Sequence, residues 1–306
     1  MPNDLRSIVA WTSWPSLMAL CIATTYAGFA LGEPMIAFYV ADAALMAALL
    51  LLQQWLPHEV SWLENDGQFP ANIGHTVVST AAVQSMLAVS GVVGLSAGAA
   101  ALSDSYHGIW PAGWPLPVQI ILGLVVMEFP LYWAHRIAHE WKALWQFHAV
   151  HHCVVKLTVI NSGRFHFIDA IKSVLPSILL LIALGAPTGV LIWLSALGAY
   201  IGLLTHANVA MRFGPLSRVF NTPELHWWHH SKDPSEGNKN YGENLMIWDW
   251  VFGSWFNVSR RPPSDIGVHE PVPERFVQQI FWPFQRLFWG AHQSAGALDR
   301  AKDLNI

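Results

Sequence analysis

The chain is poor in charge. Lys, Arg, Asp and Glu make up 12% of its 306 residues, against about a quarter in soluble globular domains. That scarcity argues against an ordinary soluble fold, and 53% hydrophobic residues exclude long disorder. Cysteine is scarcer still. Cys21 and Cys153 are the only two, which excludes a disulfide framework and a Cys-based zinc module. Cys153 directly follows two histidines, but its expected role is that of a small apolar filler. A net charge of −4 lacks the basic excess that nucleic acid requires, so no nucleic-acid partner is expected. Gly-x-Gly-x-x-Gly, His-Glu-x-x-His, internal repeats and low-complexity tracts are all missing. What is abundant is histidine (15) and tryptophan (17) in an apolar chain.

Long apolar runs define the organisation. Residues 7–31 carry no charge and match the roughly 20 residues needed to span a bilayer. Residues 35–56 form a second run broken only by Asp42, residues 76–103 a third, and residues 115–134 a fourth containing Glu128. Phe167 to Thr205 reads as a helical hairpin turning at Gly185–Gly189, its first arm only partly inserted because it holds Asp169, Lys172 and Pro176. Met1–Arg6 has no net positive charge and residues 7–31 exceed a normal signal core, so this segment reads as a signal anchor or first helix. No Lys or Arg lies between Arg6 and Arg136, and the rest fall in 136–172 and 212–302. Basic loops stay cytoplasmic, so the N-terminus and both basic regions are expected on the cytoplasmic side. The fold class expected is an all-α integral membrane protein, with about four transmembrane helices, a helical hairpin and a cytoplasmic histidine-rich helical cap. A single membrane domain of residues 1–306 is the simplest division, with N-terminal spans in 1–114, a catalytic region in 115–257 and an amphipathic tail in 258–306. In that tail Phe276, Ile280, Phe281, Phe284, Leu287 and Phe288 recur at helical spacing.

The histidines are clustered. Residues 135–139 read His-Arg-Ile-Ala-His, 148–152 His-Ala-Val-His-His, and 226–230 His-Trp-Trp-His-His. Positions i, i+3 and i+4 share a helix face, so His135 with His139, His148 with His151 and His152, and His226 with His229 and His230 are expected to point together. Neutral imidazole ligates iron, copper, nickel or zinc. One metal takes about four to six ligands, so eight or nine imidazoles suit two metals. Packing eight such rings without metal would strand many donors and acceptors. Ligating imidazoles usually donate their second N–H to a fixed acceptor. Glu128, Glu140 and Asp169 sit where they can accept such bonds, and Glu128 lies seven residues before His135 in an apolar run. His58, His75, His107, His269 and His292 fall outside the clusters and are expected in loops or at the surface.

The order His-x3-His, His-x2-His-His, His-x2-His-His in a multi-span chain resembles the fatty acid hydroxylase / sterol desaturase family over roughly residues 120–257. Further echoes are Arg164-Phe-His-Phe-Ile-Asp169, Thr222-Pro-Glu-Leu-His-Trp-Trp-His-His230, Asn240-Tyr-Gly and Trp248-Asp-Trp-Val-Phe-Gly253. The resemblance implies a membrane-bound di-iron, O2-dependent enzyme that hydroxylates or desaturates a lipid or sterol-like substrate in lipid biosynthesis. It implies two Fe ions on the eight motif histidines, with Zn able to replace Fe in a purified sample because it binds such sites more tightly. It also implies a ninth ligand between the second and third clusters, where His206 closes the hairpin. Some relatives carry another histidine four residues on; here that position is Ala210, and Asn208 is the nearby polar side chain expected to assist. His166 stands where relatives have His-Pro, with Phe167 in place of the proline, and is expected beside the ligands rather than among them.

Oxidising an unactivated C–H bond takes O2 and two electrons, and apolar surroundings keep water away from the oxidant. The chain has no haem, flavin or nicotinamide motif of its own. A separate electron donor is therefore expected, a ferredoxin or a b-type cytochrome with its reductase. The composition suits a bacterial inner-membrane protein with its active site facing the cytoplasm. The competing reading is a histidine-lined metal-ion transporter or metal-binding protein, which would place ligands at the bilayer midplane rather than at one face.

Overall fold

The computed structural model describes residues 3–81, 85 and 108–288. Among these residues the chain is helical, and its only β pairings are isolated bridges. Two long helices, α1 (Asn3–Leu31) and α2 (Pro34–Trp55), form an antiparallel pair. They turn tightly at Gly32, whose φ of +79° suits glycine. The pair is close. A Cβ on Gly28 would lie 2.2 Å from Ala37 Cβ, the kind of approach that holds helices together where the surrounding solvent is itself apolar.

A short helix α3 (Phe69–Gly74) runs into a π-helical turn, His75–Thr80. Most of the expected third span, 76–103, lies outside the described residues. Helix α4 (Leu116–Glu140) starts after Pro115 and contains Pro130; it extends past the apolar run and carries His135 and His139 on its last turns. Helix α5 (Lys142–His152) follows after one residue. Helix α6 (Phe167–Leu184) is capped by the His166 ring, which accepts from the Ile168 N–H, and ends at Gly185 with φ +84°. Helix α7 (Thr188–Thr205) completes the hairpin.

Five of these helices, α1, α2, α4, α6 and α7, are long and apolar enough to cross a membrane. The chain is an integral membrane protein. The expected half-inserted first hairpin arm is a continuous helix of spanning length. Its charges are internally paired: Lys172 Nζ lies 2.9 Å from Asp169 and donates to the Ala134 carbonyl at 3.1 Å. Helix α7 is central, with Leu194, Tyr200, Ile201 and Leu204 buried and contacts to α1, α2 and α4. Leu194 sits where a Cβ on Gly123 of α4 would meet it at 2.7 Å. Outward, Leu20, Tyr26, Ile36 and Leu51 are exposed, which an apolar solvent favours.

After α7 the chain packs back on α4, α5 and α7. It forms α8 (Pro223–His229), α9 (Pro234–Gly237), α10 (Ile247–Phe252, closed by Gly253 at φ +72°) and α11 (Phe276–Phe288). In α11, Gln279, Trp282 and Pro283 are buried, while Val277, Phe281 and Phe288 form an exposed stripe. Trp282 packs on Ala149 and Val150 of α5.

Candidate metal centre

Nine histidines converge where α4, α5, α7 and α8 meet. Helix α4 brings His135 and His139, α5 brings His148, His151 and His152, the C-cap of α7 is His206, and α8 brings His226 and His229 with His230 as its C-cap. They sort into two groups that could each hold a metal ion. The first is His135, His139, His148, His152 and His229, and the second His151, His206, His226 and His230. Within each group the ligand atoms all lie within 4.8 Å of one another. Eight of the nine are buried and His139 is half-buried.

The clusters do not point together as the spacing suggests. Each His-x2-His-His motif is split. On α5, His148 and His152 serve the first group and His151 the second; on α8, His226 and His230 serve the second and His229 the first. Helical geometry explains it. Residues i and i+4 differ by about 40° around the axis, whereas i+3 lies about 60° to the other side of i. With three helices packed around two adjacent points, the i and i+4 rings reach one point and i+3 the other.

Hydrogen bonds fix which nitrogen each ring presents. In the first group, Nδ1 of His135 donates to the Tyr241 carbonyl (2.8 Å), His139 to Asn238 Oδ1 (3.1 Å), His148 to Asp169 Oδ2 (2.9 Å) and His229 to the Lys239 carbonyl (2.7 Å). An acceptor at Nδ1 requires the proton there and leaves the Nε2 lone pair free. Nε2 of His135, His139, His148, His152 and His229 is in every case buried without a partner. Five convergent, unpaired ring nitrogens are costly in a protein interior and are what a metal needs.

In the second group, Nδ1 of His151 donates to the Arg164 carbonyl (3.2 Å) and His206 to the Gly202 carbonyl (2.8 Å). The Nε2 atom of His226 lies 3.0 Å from that of His206 and 3.1 Å from that of His230. Two nitrogens bound at right angles to one ion at about 2.1 Å would lie about 3.0 Å apart, so the spacing fits a shared ion.

Burial keeps the rings in the neutral form that ligation requires. It holds His206 down to about 4 and His229 down to about 3. Burial, reinforced by repulsion between neighbouring rings, also lowers His151, His152, His226 and His230. At His148 the Asp169 carboxylate works against burial, and the net direction is still downward.

Of the residues expected to support the ligands, Asp169 alone touches a ligand ring. Glu128 accepts from the backbone N–H groups of Glu243 and Asn244 and from the Asn244 side chain. Glu140 pairs with Arg136. The Asn208 side chain is taken by the Glu59 backbone, and the His166 ring bridges the Ile280 carbonyl and the Ile168 N–H. These four lack a ring contact because nearer backbone groups or an adjacent arginine satisfy them. Ala210 donates its N–H to the Leu56 carbonyl.

Of the histidines expected in loops or at the surface, His75 alone among the described residues departs from that expectation. His75 is fully buried, Nδ1 on the Phe165 carbonyl (3.0 Å) and Nε2 on Gln279 (2.9 Å). His58 stacks on Trp227 with centroids 3.5 Å apart. His269 is exposed, and His107 and His292 lie outside the described residues. The sequence does not announce the ring-nitrogen acceptors on Asn238, Lys239, Tyr241 and Arg164; the Arg164-Phe-His and Asn240-Tyr-Gly echoes contain or adjoin them without marking that role.

A helical membrane protein with two buried all-histidine sites is a narrow class. The fatty acid hydroxylase family model matches residues 120–254. The chain is 42% identical to the ornithine lipid hydroxylase of Rhizobium tropici over 286 residues, 93% of this chain and 86% of that protein. It is 28% identical to human alkylglycerol monooxygenase over 184 residues, 55% of this chain and 40% of that protein. It is 31% identical to a tobacco Δ7-sterol-C5(6)-desaturase over 139 residues, 43% of this chain and 47% of that protein. No solved structure matches. The chain belongs to the fatty acid hydroxylase family, whose members include iron-dependent oxygenases.

Proposed function

We propose that the chain is a di-iron, O2-dependent lipid hydroxylase with the nine histidines as metal ligands. The observation that carries this reading is the pair of adjacent histidine groups, the first with five convergent buried ring nitrogens that have no partner and the second with three Nε2 atoms 3.0–3.1 Å apart along the chain His206, His226, His230. Two bound iron ions would supply the activation of O2. The overall conversion is RH + O2 + 2 e⁻ + 2 H⁺ → ROH + H2O. The residues of the chain orient the rings, keep them neutral and exclude water. A ferredoxin or a b-type cytochrome with its reductase supplies the electrons. The ligands sit at helix ends, on the last turns of α4 and at the C-cap of α7, which favours this reading over a transporter with ligands midway along its helices.

The first substrate to test is an ornithine-headed lipid, because the similarity to the ornithine lipid hydroxylase spans nearly the whole chain. The site faces the cytoplasm of a bacterial inner membrane, on the side of the Lys and Arg clusters. Helix α11 lies along that surface with Val277, Phe281 and Phe288 towards lipid.

The test is expression in a host that makes ornithine lipid but does not hydroxylate it, grown under oxygen-18 gas. Lipid mass spectrometry should show a new species carrying one labelled oxygen, absent with His135→Ala. Unchanged lipids in a strain that accumulates the folded protein would refute this substrate. Loss of two hydrogens instead of gain of oxygen would mean desaturation.

A further inference from the structure

Three of the five histidines in the first group depend on one short segment. His135, His139 and His229 come from two different helices, yet their Nδ1 atoms all donate to Tyr241, Asn238 and Lys239. That segment has little regular structure of its own, and Asn240 sits at φ +55°. Its shape is imposed from behind by two buried acids. Asp249 accepts from the N–H of Tyr241 (2.8 Å) and Gly242 (2.7 Å). Glu128 accepts from the N–H of Glu243 (2.5 Å) and Asn244 (3.0 Å) and from the Asn244 side chain (2.9 Å). Four successive backbone donors thus close on two carboxylates. Both carboxylates are fully buried, and among the described residues neither forms an ion pair with Lys or Arg.

The fit leaves no slack. A Cβ on Gly242 would come within 2.3 Å of the Leu245 carbonyl and 2.9 Å of Asp249 Oδ2. No ring nitrogen of the second group bonds to this segment: His151 and His206 donate to the Arg164 and Gly202 carbonyls, and the segment reaches that group only through the backbone, where Asn240 donates to the Leu225 carbonyl and Asn221 to the Gly242 and Asn244 carbonyls.

We propose that Glu128 and Asp249 are positioning residues for the first metal: by clamping residues 238–245 they fix the ring nitrogens of the first group and hold no ring nitrogen of the second. This rests on the reading that the histidine groups bind metal. An amide at either position keeps the shape but turns an NH2 towards backbone donors, so the segment loses an anchor and the rings lose their fixed direction. Losing such outer support typically weakens metal binding about 10–100-fold.

The experiment is anaerobic titration of ferrous iron into the metal-free full chain in detergent, comparing wild type with Asp249→Asn and Glu128→Gln. Wild type should take up two equivalents. Each variant should keep one at wild-type affinity and bind the other about 10–100-fold more weakly. Adding His226→Ala, which removes a ligand of the second group, should leave no tight site. Two unchanged sites, or two sites weakened alike, would overturn the proposal. If a carboxylate variant fails to accumulate, Asn238→Ala removes the His139 acceptor without touching either anchor. The same one-site weakening is then expected, and an unchanged titration would overturn the proposal. Wild-type protein that takes up no iron would instead overturn the metal reading itself.

Discussion

His152 and His230 stack face to face, with ring centroids 4.3 Å apart and planes 19° from parallel. The two rings belong to different histidine groups. Their stacking puts the groups side by side, and the i+3 histidine of each motif crosses from one group to the other. A motif that looks like one ligand cluster is therefore a bridge between two.

Neighbouring histidines should then have separable effects. His229→Ala should weaken the first metal and His226→Ala the second, although the two lie only three positions apart. Two-site iron titration of each variant checks this, with loss of about 10–100-fold at one site expected in each case. Identical titration curves would contradict the division.

Asp169 is bonded to His148 Nδ1 and lies 2.9 Å from Lys172 Nζ. In Asp169→Asn one carbonyl oxygen remains, and it cannot serve both partners as an anion. Iron retention against a chelator should fall about 10–100-fold at the first site, with the protein still inserted in the membrane. Retention equal to wild type would show that the His148 orientation does not need the carboxylate.

Much of the architecture was legible in the residues. The apolar runs ending in the Trp55, Ala134 and Thr205 regions correspond to α2, α4 and α7, because length and apolarity alone decide spanning. All nine histidines brought together had been singled out, since three motifs at helical spacing are improbable by chance and His206 followed from the family resemblance. The division into two groups was not legible, because it depends on how α4, α5 and α8 pack in three dimensions. The Tyr241 and Lys239 acceptors are backbone carbonyls, which no side-chain pattern announces. Glu128 was expected to act on a histidine one helical face away, but it reaches the histidines only through residues 241–244. His75 and Gln279 pair across 204 residues, a distance at which spacing carries no information.

Acid should destabilise the metal-free protein. His206 and His229 are held at about 4 and about 3, below the ordinary 6.5, so the unfolded chain binds more protons than the folded one below about 6.5. Stability then falls as pH falls from about 6.5 through about 4 for His206 and about 3 for His229. Thermal unfolding of chelator-stripped protein, followed by tryptophan fluorescence, should show a lower Tm at pH 5 than at pH 7.5. A Tm that is constant or rises on acidification would contradict neutral burial of these rings.

Topology is open to labelling. With the histidine groups facing the cytoplasm as proposed, and in a background lacking Cys21 and Cys153, a cysteine replacing the exposed Thr188 should react with an impermeant reagent added outside the membrane. One replacing the exposed Ser235 should react only after the membrane is opened. The reverse pattern would put the histidine groups on the opposite side and contradict the proposed cytoplasmic electron donor.

The central claim is that the two histidine groups hold two metal ions. Metal analysis of the full chain, purified without chelator from iron-replete cells, tests it most directly. The account predicts close to two equivalents of iron, or of iron and zinc together, per folded chain, falling to about one with either His226→Ala or His229→Ala. A folded, monodisperse wild-type sample holding one equivalent or none would contradict it.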